Sequence, residues 1–188
     1  MKLIYLHGFN SSGEGTTACE LKKIYSELES ISYDYCNPDK AFKEINMFLE
    51  NILKTEKEVI LIGSSLGGFW ANYFAQLFDL KCLLINPSLF PSNNLKKYLG
   101  ENKNFTTGEI KTLTKENCNS YSKYEIEIKE KTFRNVIISI NDEVINLKET
   151  IDLLSNSYIV LHPKEKHQFK DYNFLQKEIE KIINTIII

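Results

Sequence analysis

The chain has 188 residues, with 23 lysines and arginines against 25 aspartates and glutamates, so its formal net charge is −2. A chain of this length is typical of one domain that buries about 70% of its unfolded surface, and we predict a single domain over residues 1–188. Charges of both signs are interspersed, which argues against nucleic-acid binding, and the longest apolar runs fall far short of the roughly 20 residues that a membrane span needs.

The cysteines and the N-terminus bear on the cellular compartment. The four cysteines lie far apart and form no CxxC pair. The N-terminal MKLIYLHGF reaches Gly8 before a signal peptide could form. We therefore expect a reduced, cytoplasmic protein, and the sequence leaves its oligomeric state open.

Short continuous apolar runs recur along the chain, separated by segments with helical periodicity. The runs lie at residues 3–6, 59–62, 82–85, 136–140 and 158–161, with a weaker one at 31–35. The helical patterns lie at residues 17–29, 41–53, 66–78, 147–154 and 174–183. Continuous apolarity is typical of strands that are covered on both faces, as in parallel sheets. This alternation predicts an α/β fold, with a compact parallel sheet of about six strands and helices on both faces.

Residues 86–131 interrupt the alternation. The stretch that begins NPSLFPSNNLKKYLGENKNF is polar, rich in turn residues and much longer than the usual connection of about 4–6 residues. We interpret it as a short lid-like insertion, with a solvated excursion as the alternative. At the far end of the chain, we expect most of the apolar segment KIINTIII to cover the sheet, with a fraying end as the alternative.

The segment IGSSLGGFW contains a candidate nucleophile. Its residues 63–67 match the pattern GxSxG and stand between an apolar run and a helical pattern. In this strand–turn–helix context the central serine occupies a tight turn with unusual dihedral angles, and the flanking glycines remove side chains that would clash. A Walker loop would need Gly-Lys-Ser/Thr, and the dinucleotide fingerprint GxGxxG does not fit. We predict that Ser65 is a nucleophile, and a helix N-cap by Ser64 is the structural alternative.

The same turn predicts donors for a developing oxyanion. The helix after Ser65 begins with the backbone N–H of Leu66, and the N–H of Phe9, in the loop after the first predicted strand, is the expected second donor. His7 precedes the serine, whereas in this arrangement the acid and then the histidine follow the nucleophile, so we expect His7 to pin the loop. Asn10 either lines the entrance or is a turn residue.

An active serine also needs an imidazole to take its proton and a carboxylate to orient that imidazole. VIISINDEVIN ends a predicted buried strand at Asp142, which we predict to be the acid, with Glu143 as the second choice and an exposed helix-capping turn as the structural alternative. YIVLHPKEKHQF offers His162 and His167. We favour His167 as the base, because it lies in the loop and can reach over the strand ends.

Together these motifs resemble the α/β-hydrolase superfamily, and within it the small YqiA-like esterases. The resemblance covers nearly the whole chain, and its blocks are YLHGFNSS (5–12), GSSLGGFWA (63–71), NPSLFP (86–91), LKKYLGENKNFTTGE (95–109), NDEVIN (141–146) and HQF (167–169). GxSxG alone is shared by many hydrolases, whereas the middle blocks are much more specific. The resemblance implies Ser65 as nucleophile, Asp142 as acid, His167 as base, and neither a metal nor an organic cofactor.

The chain also departs from that family. Phe90 stands where an arginine is common, which argues against a cationic substrate contact at this position. Asn141 and the pair 165–166 replace glycines that commonly precede the acid and the base. Asparagine tolerates left-handed dihedral angles and lysine does so less readily, so we expect a differently shaped histidine loop.

We predict a serine esterase or thioesterase that acts on small-molecule esters or acyl thioesters through an acyl-enzyme on Ser65. Asn10, Phe69 and Phe90 are the expected substrate-binding residues, although core packing explains the two aromatic residues equally well. The alternative is a hydrolase-fold protein that binds an acyl molecule or a protein with little or no turnover. The triad residue types occur in the expected order, which favours the enzyme.

Overall fold

The computed structural model describes residues 1–185, so Ile186, Ile187 and Ile188, the end of the segment expected to cover the sheet, lie outside the described residues. In chain order the strands are β1 (Lys2–Leu6), β2 (Glu29–Ile31), β3 (Val59–Ser64), β4 (Lys81–Ile85), β5 (Gly100–Lys103), β6 (Ile110–Leu113), β7 (Arg134–Ser139) and β8 (Tyr158–His162). The helices are α1 (Thr16–Ile24), α2 (Pro38–Leu53), α3 (Leu66–Phe78), α4 (Pro91–Asn94), α5 (Lys115–Ser120), α6 (Leu147–Leu153) and α7 (Tyr172–Asn184).

One parallel sheet organises the molecule. Its strand order is β2-β1-β3-β4-β7-β8, while β5 and β6 form a separate antiparallel hairpin. The sequence prediction of a parallel sheet with about six strands is thereby confirmed. From β1 the chain goes to β2 on one side and then to β3 on the other, so the carboxyl ends of β1 and β3 flank a topological switch point, where open α/β sheets bind ligands.

The sheet separates two hydrophobic cores, as the continuous apolar strands predict. Successive side chains of a strand point to opposite faces. In β1, Ile4 and Leu6 join the larger core with α2 and α3, whereas Leu3 and Tyr5 join the smaller core with α1 and α7. Helices therefore cover both faces of the sheet.

Two predicted boundaries near the first edge of the sheet are wrong. Helix α1 ends at Ile24 rather than at residue 29, and β2 occupies Glu29–Ile31 rather than 31–35. Beyond Ile31 the chain bonds to His7 instead of to a strand. The backbone N–H of Tyr33 donates to His7 Nε2 at 3.3 Å, and its hydroxyl donates to the His7 carbonyl.

The insertion over residues 86–131 contains more regular structure than its polar sequence predicts. Besides α4, α5 and the hairpin, it has two 3-10 turns, Leu95–Tyr98 and Tyr121–Tyr124. Five of its side chains are buried in the larger core: Leu89, Leu95, Leu113, Cys118 and Tyr121. The Tyr121 hydroxyl donates to the Tyr35 carbonyl at 2.7 Å. Much of the insertion thus packs against the α2 and α3 side of the sheet.

Polar side chains fix where several helices start. Asn37 accepts a hydrogen bond from the Lys40 N–H at the start of α2, where Pro38 is the first helical residue. Such N-caps satisfy backbone donors that have no partner within the helix. Within residues 1–185, no helix combines the length and apolarity required to cross a membrane.

Candidate active site

Ser65 stands on a strained turn between β3 and α3. Its dihedral angles are φ 54° and ψ −118°, a conformation that costs on the order of 1–3 kcal/mol for a residue with a side chain. Backbone hydrogen bonds hold this turn, since the Ser65 N–H donates to the Ile85 carbonyl at 2.9 Å and the Ser88 N–H donates to the Ser65 carbonyl at 3.0 Å. A Cβ atom on Gly67 would overlap the Leu6 carbonyl, so only glycine lets α3 approach β1 this closely.

The structure brings Ser65, Asp142 and His167 into one hydrogen-bonded chain. Ser65 Oγ lies 2.8 Å from His167 Nε2, and His167 Nδ1 lies 2.8 Å from Asp142 Oδ2. An ionised carboxylate only accepts hydrogen bonds. Nδ1 therefore carries the imidazole proton, and Nε2 is left to accept the proton of the Ser65 hydroxyl.

The environment of Asp142 keeps its carboxylate ionised. The side chain is fully buried, and burial alone raises its pKa. Hydrogen bonds from His167 and from the backbone N–H groups of Ile145 and Val144 lower the pKa, and they outweigh burial, so the pKa of Asp142 lies below its ordinary value. A charged Asp142 can thus stabilise an imidazolium on His167.

The second choices for acid and base have other contacts. Glu143 Oε2 accepts a hydrogen bond from the backbone N–H of His167 at 3.3 Å, not from its ring. His162 Nδ1 accepts from the Glu165 N–H at 3.1 Å, and its Nε2 lies 3.4 Å from Asp171 Oδ2. Both residues therefore shape the loop that carries His167.

His7 pins the loop after β1, as the sequence predicts. Its Nδ1 donates to the Gly8 carbonyl at 2.8 Å, its Nε2 accepts the Tyr33 N–H, and its ring stacks on Tyr33 with the centroids 4.1 Å apart. Burial lowers the pKa of His7 to about 4. The ring is therefore neutral at pH 7, with both nitrogens engaged.

The loop after β1 also passes next to Ser65. A Cβ atom on Gly8 would lie 3.4 Å from the Cβ of Ser65. Within residues 1–185, neither the Phe9 N–H nor the Leu66 N–H has a hydrogen-bond acceptor, and Leu66 is the first residue of α3, where no helical acceptor exists. Neither donor is therefore used within the described part of the protein.

The β5–β6 hairpin holds this loop in place. The Phe105 N–H donates to the Asn10 carbonyl at 2.8 Å, and Asn104 Nδ2 donates to the Ser11 carbonyl at 2.7 Å. The Asn10 amide faces the hairpin, with its Nδ2 3.5 Å from Asn102 Oδ1. These contacts join residues about ninety positions apart, and no local sequence pattern predicts them.

A cavity of about 440 Å³ lies between α3, the loop after β4, the end of the insertion and α6. Two of the predicted substrate-binding residues, Phe69 and Phe90, line it, while Asn10 does not. The other lining residues are Asn72, Tyr73, Leu89, Tyr124, Glu125, Ile126, Glu127, Ile128, Asp152 and Leu153. None of the three residues of the hydrogen-bonded chain lines the cavity, but the Phe69 N–H donates to the Ser65 carbonyl at 3.2 Å, so the cavity starts one helical turn from Ser65.

The positions that replace family glycines need no glycine conformation. The non-glycine residues with positive φ in the described part of the chain are Asn10, Ser65, Asp79 and Asn86. Asn141 and Lys166 are not among them. The loop that carries His167 is therefore formed without left-handed backbone.

Metal binding has no obvious site in the described part of the chain. In residues 1–185, no group of three or more His, Cys, Asp or Glu side chains is arranged to hold a metal ion.

Solved structures of low sequence identity share this fold. Alpha/beta hydrolase domain-containing protein 10 from mouse superposes with a TM-score of 0.76 and 15% identity, over 98% of this chain and 90% of that chain. A Paleococcus ferrophilus monoacylglycerol lipase superposes with a TM-score of 0.74 and 11% identity, over 97% and 94% of the two chains. Likeness at such identity shows the fold, and with the six-stranded parallel sheet it defines an α/β-hydrolase fold.

The family follows from the sequence. The Uncharacterised protein family (UPF0227) matches residues 2–186, and the chain belongs to this family. The UPF0227 protein YcfP of Escherichia coli O9:H4 (strain HS) is 29% identical over 176 residues, which cover 90% of this chain and 91% of that protein. The predicted resemblance to YqiA-like members of the α/β-hydrolase superfamily is thereby confirmed.

Proposed function

We propose that the protein is a serine hydrolase that cleaves carboxylic esters or thioesters of small molecules through an acyl-enzyme on Ser65. The observation that carries this proposal is the chain of 2.8 Å hydrogen bonds from Ser65 through His167 to Asp142. The strained turn under Ser65 adds support, because such turns present a nucleophile at the sheet edge.

Acylation begins at the Ser65 hydroxyl. Its Oγ attacks the substrate carbonyl carbon while His167 Nε2 takes the hydroxyl proton, and Asp142 stabilises the resulting imidazolium. The N–H groups of Phe9 and Leu66 bind the oxyanion of the tetrahedral intermediate. A single donor of this kind is worth about 10²–10³ in kcat.

Release and deacylation follow from the same groups. The carbon–oxygen or carbon–sulfur bond breaks, and the leaving alcohol or thiol takes the proton from His167. Water then attacks the acyl-enzyme, His167 accepts a proton from that water, and the acid is released as Ser65 regains its proton.

The cavity supports a substrate with an apolar portion. Its volume of about 440 Å³ falls within the range of small-molecule sites, and Phe69 and Phe90 give it aromatic walls. Asn10 lies outside this cavity and stays a proposed polar contact, because within residues 1–185 its buried Oδ1 has no hydrogen-bond partner. The name of the Paleococcus lipase assigns it to monoacylglycerols, which supports ester chemistry on this fold.

Hydrolysis of p-nitrophenyl esters from acetate to palmitate tests the proposal. The native protein should turn over at least one ester, with an optimum at the chain length that the cavity accommodates, and Ser65→Ala should abolish this activity. Equal turnover by the native protein and a folded Ser65→Ala would overturn the assignment.

We also propose a cytoplasmic location. Cys19, Cys36, Cys82 and Cys118 are all free thiols, the state that a reducing compartment maintains. Cell fractionation with an antibody to the native protein checks this proposal, which predicts recovery with the cytoplasmic fraction.

A further inference from the structure

Asn86 is a buried polar residue that the mechanism above does not use. It directly follows β4, is fully buried, and has a positive φ of 44°. Its backbone N–H donates to the Ile137 carbonyl at 2.9 Å, which ties it to the neighbouring strand β7. Asparagine accepts positive φ more readily than most residues, which explains why the backbone at position 86 suits an asparagine. It does not explain the contacts that the Asn86 side chain makes.

The side chain of Asn86 has four polar contacts, and the two hydrogens of its Nδ2 are shared among three acceptors. Its Oδ1 accepts the Ser139 N–H at 2.8 Å, and its Nδ2 lies 3.1 Å from Ser139 Oγ. The same Nδ2 lies 3.0 Å from the carbonyl oxygens of Lys166 and His167. A backbone N–H only donates and a carbonyl only accepts, so the amide has one orientation that satisfies these partners.

These contacts join the three segments that carry the hydrogen-bonded chain. The residue before Asn86, Ile85, accepts the N–H of Ser65. Ser139 ends β7, and its carbonyl accepts the N–H of Asp142 at 3.1 Å. The third segment is the loop after β8 that carries the histidine, residues 163–171, which we name the base loop.

The base loop depends on such contacts for its position. Phe169 anchors the end of the loop in the smaller core, whereas Lys166 is exposed and the His167 side chain remains 17% exposed, so hydrogen bonds rather than packing hold residues 166–167. The Glu143 carboxylate binds the backbone N–H of His167, and Asn86 binds its carbonyl. Asp142 binds the ring. Of these groups, Asn86 is the one whose side chain also bonds to the sheet, at Ser139 of β7.

We propose that Asn86 is a positioning residue that holds the base loop at the distance from Ser65 and Asp142 at which the His167 ring meets both. This inference rests on the proposed function. A displacement of about 1 Å in such a group costs on the order of 10²-fold in rate. Asn86 acts through His167 and is not expected to touch the substrate.

Asn86→Asp is the sharpest variant. It keeps the shape, the tolerance of positive φ and the acceptor for the Ser139 N–H, but it places an oxygen against the carbonyls of Lys166 and His167. Asn86→Gly removes the side chain while it suits the backbone conformation, so it replaces the aspartate variant if that variant does not fold.

Two controls separate positioning from stability. Ser139→Ala removes the Ser139 Oγ contact of the same amide group and leaves both base-loop contacts intact. Asn37→Ala removes the N-cap of α2, which costs about 1 kcal/mol of stability and leaves the contacts of Asn86 intact. Both controls should keep kcat and KM within about twofold of the native values.

Steady-state kinetics on the best p-nitrophenyl ester should show kcat lowered about 10- to 100-fold in Asn86→Asp and Asn86→Gly, with KM within twofold. The low-field proton resonance of the His167 Nδ1–H, measured with labelled histidine, should be present in the native protein and in Ser139→Ala, and lost in the Asn86 variants.

Native kcat per folded molecule and an unchanged resonance in a folded Asn86 variant would overturn the inference and leave Asn86 a structural residue. The proposed function fails separately, if Ser65→Ala keeps native turnover. The Nδ1–H resonance can be measured without turnover. It therefore tests whether Asn86 positions His167 even if the proposed function fails.

Discussion

Two histidines follow strands at the same edge of the sheet, and their surroundings give them opposite properties. His7 after β1 is 1% exposed, and both of its ring nitrogens are bound by backbone groups, the Gly8 carbonyl and the Tyr33 N–H. His167 beyond β8 is partly exposed, and its nitrogens meet a carboxylate and a hydroxyl. Backbone partners thus occupy both ring nitrogens of His7, whereas the ring nitrogens of His167 meet side chains that can take up or release a proton.

The difference shows that burial and partner chemistry decide what a histidine does, not its position at a strand end. Burial disfavours the charged form of His7, whereas the ring of His167 has the ionised carboxylate of Asp142 as a partner. The predictions below separate a loss of activity at His167 from a loss of stability at His7.

Removal of the proposed base should have the largest effect. His167→Ala should lower kcat/KM for a p-nitrophenyl ester by about 10⁴- to 10⁶-fold, because Ser65 then has no proton acceptor. The loss of stability in urea unfolding should be smaller than in His7→Ala, since the His167 side chain is partly exposed. Activity within tenfold of native would contradict the role of His167.

Asp142→Asn should lower kcat by about 10⁴-fold, because the amide no longer holds the Nδ1–H tautomer of His167. Glu143→Gln is the matched control, since its carboxylate binds the His167 backbone rather than the ring, and it should stay within about threefold of native. Both are measured by steady-state kinetics. A larger loss of kcat in Glu143→Gln than in Asp142→Asn would make Glu143, and not Asp142, the acid that orients His167.

His7→Ala should act mainly on stability. It leaves the Tyr33 N–H and the Gly8 carbonyl without partners and removes a stacked ring, which should cost about 2–4 kcal/mol in urea unfolding. Its folded fraction should stay far more active than His167→Ala. A His7→Ala variant that is as stable as the native protein but inactive would contradict the assignment of His7 to stability rather than to activity.

Acid should destabilise the protein through His7. Its pKa falls from an ordinary 6.5 to about 4 on folding, so between those values the unfolded chain binds a proton that the folded protein does not. The stability that the neutral His7 contributes is fully present above pH 6.5. It falls by about 3 kcal/mol as the pH drops to about 4. Urea midpoints over this range should fall in the native protein and much less in His7→Gln. Parallel pH curves for the two proteins would contradict the burial of a neutral His7.

Much of the fold and of the candidate site follows from the sequence, because local chemistry encodes it. Continuous apolar runs predict the parallel strands, and GxSxG before a helical pattern predicts the turn at Ser65. The choice of His167 over His162 relies on geometry, since a loop can reach the serine when a strand end cannot.

Other features depend on contacts that no local pattern carries. The hairpin β5–β6 meets the loop after β1 through Asn104 and Ser11, and Asn86 meets the base loop some eighty residues further along the chain. β2 ends at Ile31 rather than at residue 35, because the backbone N–H of Tyr33 donates to the His7 ring instead of to the sheet. Asn86 follows a buried strand in an NPS turn, which is the one sequence signal that marks it.

Labelling with a fluorophosphonate probe, read by intact mass and peptide mapping, tests the central claim most directly, because only an activated serine reacts. The native protein should gain one probe adduct on Ser65, while folded Ser65→Ala should gain none and His167→Ala should react far more slowly. A folded native protein that does not react, or one that reacts equally fast without His167, would contradict the proposed serine hydrolase.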